Sequence, residues 1–167
     1  MDLSILADTF EACGTPLLRT DFADDEAWSR VIAEVTQPTD FGGSSDGTYT
    51  PNVTAFDHPE FEGATGDTLV RASAALYRRL SGFIVVADAR SMHEAASGAE
   101  LTVAYVDLSV EGDVDPKMSE SFGRTFRCAV REFGSVESNL AIANMDFRDF
   151  ADNVQSDGVF RGFGASG

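Results

Sequence analysis

Lysine is almost missing from these 167 residues: Lys117 stands alone, and arginine carries the rest of the positive charge. Arginine is the cation suited to fixed, two-pronged carboxylate pairing, where an ammonium is only a point charge. Positive charge is scarce altogether, with 12 Lys and Arg against 28 Asp and Glu, a net charge of -16 and a pI near 4.2. A phosphate backbone would be repelled by most of such a surface, so no direct nucleic-acid partner is expected, and a basic protein partner fits better. Cysteine is limited to Cys13 and Cys128, far apart and without CxxC or Cys/His ligand spacing, so two small thiols are expected rather than a metal finger or redox pair. No apolar run approaches the ~18 residues of a membrane span, so no membrane partner is expected. The start MDLSILADTFEACG lacks a basic head, a long apolar core and a small-residue cleavage site; no secretory signal is expected, and a cytoplasmic location follows. Neither a P-loop nor a dinucleotide fingerprint is present, so no motif implies a cofactor.

What is present can fill a core. Hydrophobic residues make up 43% of the chain, with 13 phenylalanines, and one domain over residues 1–167 is expected. Residues 4–12 suggest a short amphipathic turn. Leu17-Leu18-Arg19-Thr20 reads as a strand ending at Asp21, and it feeds a helix whose first turn is acidic (Asp24, Asp25, Glu26), with Trp28, Val31, Ile32 and Val35 at helical spacing. Pro38 ends that helix, and residues 40–51, rich in Gly, Ser, Thr and Asp, read as a loop. A strand over 52–56 ends at Asp57, and a helix from Thr68 through Tyr77 and Leu80 stops at Gly82. Phe83–Ala87 and Leu101–Val106 are apolar runs of the kind buried on both faces, ending at Asp88 and Asp107. Residues 90–100 fit either a short helix or a loop, and 109–123 read as a loop. Phe126, Cys128 and Val130 alternate with Arg127, Ala129 and Arg131, which predicts a half-exposed strand over 125–133. Ser135 then caps a helix stopped by Asn144, Asp146 caps a second helix with Asp149 in its first turn, and 159–163 closes as a strand. The fold class is α/β: a single-domain sandwich with a mostly parallel or mixed central sheet flanked by helices.

Several constellations carry possible chemistry. If the strands are parallel, their aspartate tips gather at one rim, where open α/β sheets place ligands. Asp21, Asp88 and Asp107 would then offer hard oxygens to Mg²⁺, with His58 as a candidate general base, the makings of a metal-dependent hydrolase or phosphotransferase. Aspartates after strands also serve as helix caps and turn formers for local reasons alone. Arg127 and Arg131, on one face of a strand, suit an anion or a partner's carboxylate, or the chain's own surplus acids. Asp146, Phe147 and Phe160 mark a possible Phe-lined ligand pocket, although aromatic residues at such spacing more often form core.

Two stretches, LLRTDFADDEAW (17–28) and SVESNLAIANMDFRDFADNVQSDGVFRGF (135–163), with VTAFDHPEFEG, FIVVADA and AYVDL between them, resemble an uncharacterised family of small actinobacterial proteins described as a domain of unknown function. The resemblance covers nearly all of the chain except 37–51 and 109–123. It implies a soluble cytoplasmic α/β protein and nothing about substrate. The acidic charge and the lack of a complete catalytic set favour a non-catalytic binding or interaction module, regulatory or immunity-like, meeting a basic protein partner. The metal-dependent enzyme and the small-ligand binder stand as alternatives.

Overall fold

The buried extended runs do lie side by side, but not all in one direction. A computed structural model describes residues 1–42, 47–76, 82–109 and 122–164. The chain opens with a 3-10 turn (Leu3–Leu6), α1 (Ala7–Glu11), β1 (Thr15–Arg19) and α2 (Asp25–Val35). A ribbon of β2 (Thr39–Asp40) and β3 (Thr48–Tyr49) follows, then β4 (Val53–Phe56), a 3-10 turn (Pro59–Phe61) and α3 (Gly66–Ala74). The second half holds β5 (Phe83–Ala87), α4 (Ala89–Ser97), β6 (Thr102–Asp107), β7 (Thr125–Ala129), a 3-10 turn (Val130–Glu132), α5 (Phe133–Ala141), α6 (Phe147–Ala151) and β8 (Val159–Phe160).

One six-stranded mixed sheet, in the order β4-β1-β5-β6-β7-β8, organises these elements. β4, β1 and β5 are parallel, β6 is antiparallel to both β5 and β7, and β8 is parallel to β7. The reversal of β6 has a local cause. Asp88 caps α4 by accepting from the Ser91 N–H (3.0 Å), and Gly98 ends it in the left-handed region at φ 72°, which glycine enters without steric cost. Glu94, inside α4, then accepts from the Thr102 N–H (2.8 Å) and hydroxyl (2.6 Å), so β6 starts beside the helix that has just left β5 and runs back down the sheet.

Alternation along the strands splits the core in two. Leu17, Val85, Val103, Tyr105 and Phe126 pack with Trp28 and Val31 of α2, Met92 of α4, Phe133 and Val136 of α5 and Phe150 of α6. On the opposite face Leu18, Ile84, Val86 and Val106 pack with Leu3, Leu6, Phe61 and Leu69. α2 is fixed at its start by Asp24, which accepts from the N–H groups of Glu26 (2.9 Å) and Ala27 (3.0 Å).

Several expectations are corrected. The 40–51 stretch contributes strand residues: Thr39 pairs with Tyr49 and Asp40 with Thr48. The predicted strand over 125–133 stops at Ala129, and Val130–Glu132 turns into α5, which starts at Phe133; Ser135 lies inside that helix and its carbonyl accepts from Asn139 (2.8 Å). Ala143, not Asn144, takes the left-handed backbone (φ 52°) after α5. Residues 90–100 are helical to Ser97. The expected run of α3 through Tyr77 to Leu80, and most of the expected loop 109–123, fall on 77–81 and 110–121, outside the described residues.

Candidate functional site

The sheet has a topological switch point between β1 and β4. These neighbours are parallel, yet β1 leads into α2 on one face while β4 leads, through the Pro59–Phe61 turn, into α3 on the other. Where consecutive connections part in this way, a crevice opens at the carboxyl ends of the strands.

Arg19, the last residue of β1, forms the floor of that crevice. Its side chain is 2% exposed. Nε donates to the Asp21 carbonyl oxygen (2.9 Å), and Nη1 faces both carboxylate oxygens of Asp57 at 3.4 Å. Nη2 lies 2.8 Å from Asp25 Oδ1 without an aligned N–H, so that contact is coulombic rather than a directed hydrogen bond. The guanidinium also lies over the Phe22 ring at 4.7 Å and near the Trp28 ring at 5.9 Å. The cation is buried and its anions are not: Asp57 is 50% and Asp25 92% exposed. The crevice therefore shows carboxylates to solvent.

The predicted metal set does not assemble. Asp21 and Asp88 follow the parallel strands β1 and β5, but Asp107 ends antiparallel β6 and pairs with Phe83, the first residue of β5. It therefore sits at the opposite end of the sheet, and the three carboxylates share no centre. Asp21 accepts from the Ala23 N–H (2.9 Å) as a turn former, and Asp88 caps α4. Asp107 is buried and accepts from the Ser109 N–H (2.8 Å); burial raises its pKa above the ordinary aspartate value. Among the described residues no three His, Cys, Asp or Glu side chains are grouped to hold a metal ion. His58, exposed, caps the Pro59–Phe61 turn through Nδ1, which accepts from the Glu60 N–H at 3.3 Å.

The two candidate arginines do not share a strand face. Arg127 donates to Asp88, the Thr102 hydroxyl (3.0 Å) and Ser91 (3.3 Å), which braces β7 against the start of α4. Arg131 sits in the turn after β7 and pairs with Glu100. Arg161 meets the same Glu100 (2.8 Å) and Asp157 (2.7 Å). Burial would raise the Glu100 pKa, but hydrogen bonds from Arg161 and Arg131 hold it below the ordinary value, and the Arg161 hydrogen bond holds Asp157 at about 2.

Asp146 starts α6, with Asp149 reaching back to accept its N–H (2.8 Å). Phe147 and Phe160 are buried, and Phe126, Phe147, Phe150 and Phe160 meet one another edge-on or stacked at centroid distances from 5.0 to 6.4 Å. These rings are packed core rather than the lining of a Phe pocket. An open cleft of about 320 Å³ lies elsewhere, between the end of α2, Pro38 and Thr39, and the start of α5.

Sequence reasoning passed over Arg19 and Glu137. A charged residue inside LLRTDF, just ahead of an acidic helix start, was the available signal for Arg19. Nothing local marked Glu137, which follows Val136 in a helix and is nevertheless fully buried. No curated protein and no solved structure matches this chain. A family model described as a domain of unknown function, DUF6924, matches residues 14–163, and the chain belongs to that family.

Proposed function

We propose that this chain is a non-catalytic interaction module, regulatory or immunity-like, that works in the bacterial cytoplasm and presents an acidic surface to a basic protein partner. The carrying observation is how its arginines are used. Arg19, Arg30, Arg90, Arg124, Arg127, Arg131, Arg148 and Arg161 each pair with a carboxylate of the same chain. With these eight arginines engaged by the chain's own acids, few cations are left to offset the net charge of -16. Such a field steers a cationic partner and repels anionic ones. The β1–β4 rim, with exposed Asp25 and half-exposed Asp57 over a buried Arg19, is the structured place for contact.

The test is calorimetric titration of the whole chain with an arginine-rich peptide and with its glutamate-substituted counterpart. Binding of the basic peptide alone is expected, weakening about tenfold or more between roughly 50 and 300 mM salt as screening shortens the field. Equal binding of both peptides, or no salt dependence, would refute it.

A further inference from the structure

Glu137 is a carboxyl group sealed inside the fold. It is fully buried in α5, yet its carboxyl group receives only neutral donors, the Thr15 hydroxyl at 2.9 Å on Oε1 and the Tyr49 hydroxyl on Oε2. No arginine, lysine or histidine among the described residues pairs with it. A carboxyl group withdrawn from water without a cation is costly unless its environment completes it. A second incomplete group belongs to the same region. Tyr105 is fully buried and its hydroxyl has no hydrogen-bond partner. Burial raises the pKa of that phenol, and its neighbours Cys128, Glu137 and Tyr49 push it further in the same direction.

The β2–β3 ribbon keeps solvent from Glu137. Its register partners Thr39 and Tyr49 sit on α5 one turn apart, Thr39 against Gly134 and Tyr49 on Glu137. The Thr39 Cβ lies 2.8 Å from where a Cβ on residue 134 would be, so the ribbon reaches this depth because that residue is glycine. Two strands of two residues have little stability of their own and depend on this docking. A cleft of about 320 Å³ lies at the ribbon's root with the buried Phe133 and Gly134 in its wall, and the Phe133 ring centroid lies 5.8 Å from that of Tyr105.

We propose that Glu137 is the anionic floor of a binding site for a small organic cation bearing N–H donors, an alkylammonium or guanidinium group, and that Tyr49 on its ribbon is the plug that fills the site when it is empty. Such a group supplies the positive charge Glu137 lacks and N–H donors for its carboxylate oxygens and for the unpartnered Tyr105 oxygen. A bare metal ion would want more oxygen ligands than this region offers. The cation is either a free amine or the tip of a basic side chain. The site lies inside the fold, so it stands or falls independently of the acidic-surface proposal.

The experiment titrates the whole chain with butylammonium, butylguanidinium and a short peptide ending in lysine, each against sodium chloride at equal ionic strength, with tetramethylammonium as a cation lacking N–H. Tyr49→Phe keeps the ring but removes the competing hydroxyl, and about tenfold tighter binding is expected, the worth of one hydrogen bond to a charged group. Glu137→Gln, checked for folding by its thermal melt, should lose binding. In the unmodified chain, saturating butylammonium should speed amide exchange over 47–49 as the ribbon lifts, a readout that needs no variant to fold. Tight binding of the free cations assigns a small-molecule ligand, and binding of the peptide alone assigns a side chain. Equal affinity in the wild type and Tyr49→Phe, retention of binding in folded Glu137→Gln, or tetramethylammonium binding as well as butylammonium overturns the proposal.

Discussion

Replacing Arg19 with methionine should cost less stability than neutralising the two carboxylates that hold it. The asymmetry comes from burial: the guanidinium is 2% exposed, while Asp57 and Asp25 are 50% and 92% exposed. Arg19→Met removes a charge that had to be taken out of water and leaves both carboxylates in contact with solvent. Methionine keeps most of the side-chain volume against Trp28 and Phe22. What is lost is the hydrogen bond to the Asp21 carbonyl, about 1 kcal/mol, the contact with the Phe22 face, about 0.5–1 kcal/mol, and the contacts to Asp57 and Asp25, whose loss is softened because both carboxylates stay hydrated. Recovery of the desolvation cost works against both, so a net loss under about 1.5 kcal/mol is expected.

Asp25→Asn alone should cost under about 1 kcal/mol, because an exposed ion pair is screened. Asp25→Asn with Asp57→Asn is different in kind. It leaves a buried cation with no anion beside it, only the Asp21 carbonyl, neutral amide oxygens and two aromatic neighbours, and about 3–5 kcal/mol is expected. Urea unfolding at neutral pH, followed by far-UV circular dichroism, measures all three on one scale. If Arg19→Met proves more damaging than the double asparagine variant, Arg19 acts through its charge at the surface, and its description as a desolvated floor is wrong.

Three further outcomes are expected. Gly134→Ala brings a methyl group onto Thr39 and should cost about 1–3 kcal/mol, restored in large part by Thr39→Gly in the same chain; an additive double-mutant cycle would show that the ribbon is not seated there. Phe126→Ala, at the centre of the rings of Tyr105, Phe147, Phe150 and Phe160, should cost about 3–5 kcal/mol by thermal or urea melts, whereas half-exposed Phe163→Ala should cost under about 1 kcal/mol. Asp107→Asn tests a sign. Burial raises the folded-state pKa above 3.8, so the contribution of Asp107 to stability is full below that value and is lost as pH rises through the folded-state pKa. Asparagine keeps an acceptor for the Ser109 N–H, so the variant should be more stable than wild type at pH 7 and equal to it near pH 3, by urea melts at both.

Much of this architecture is written locally. Asp24 and Asp88 are followed by helices because a carboxylate there satisfies N–H groups that the helix cannot, and Leu17, Phe83–Ala87 and Thr102–Asp107 are strands because short apolar runs bounded by turn formers have few other uses. The ribbon is not local in this sense. β2 and β3 have a Gly- and Ser-rich sequence between them and exist by leaning on Gly134 and Glu137, residues nearly a hundred positions away. Ser135 looks like a cap from its own neighbours, but the turn Val130–Glu132 starts the helix earlier by carrying Phe133 directly into the core. Periodicity reports which face of a residue is buried and says nothing of what comes from across the chain to bury it.

The direction of β6 shows why the site was less legible than the fold. A strand buried on both faces reads the same from either end, so the apolar run gives no sign of which way it points. That sign comes from one carboxylate, Glu94, which holds the Thr102 N–H and hydroxyl and thereby starts β6 beside α4. Had α4 carried the chain back across the sheet before releasing it, Asp107 would lie at the rim with Asp88. Instead, Asp88 meets the cation of Arg127, which reaches it from β7. The same economy holds at the neighbouring rim, where Arg19 joins β1 to the start of α2 and the end of β4. In a chain this short of positive charge, Arg19 and Arg127, withdrawn to junctions between elements, are two cations fewer on the surface, so the residues that hold these rims together also help to leave the exterior acidic.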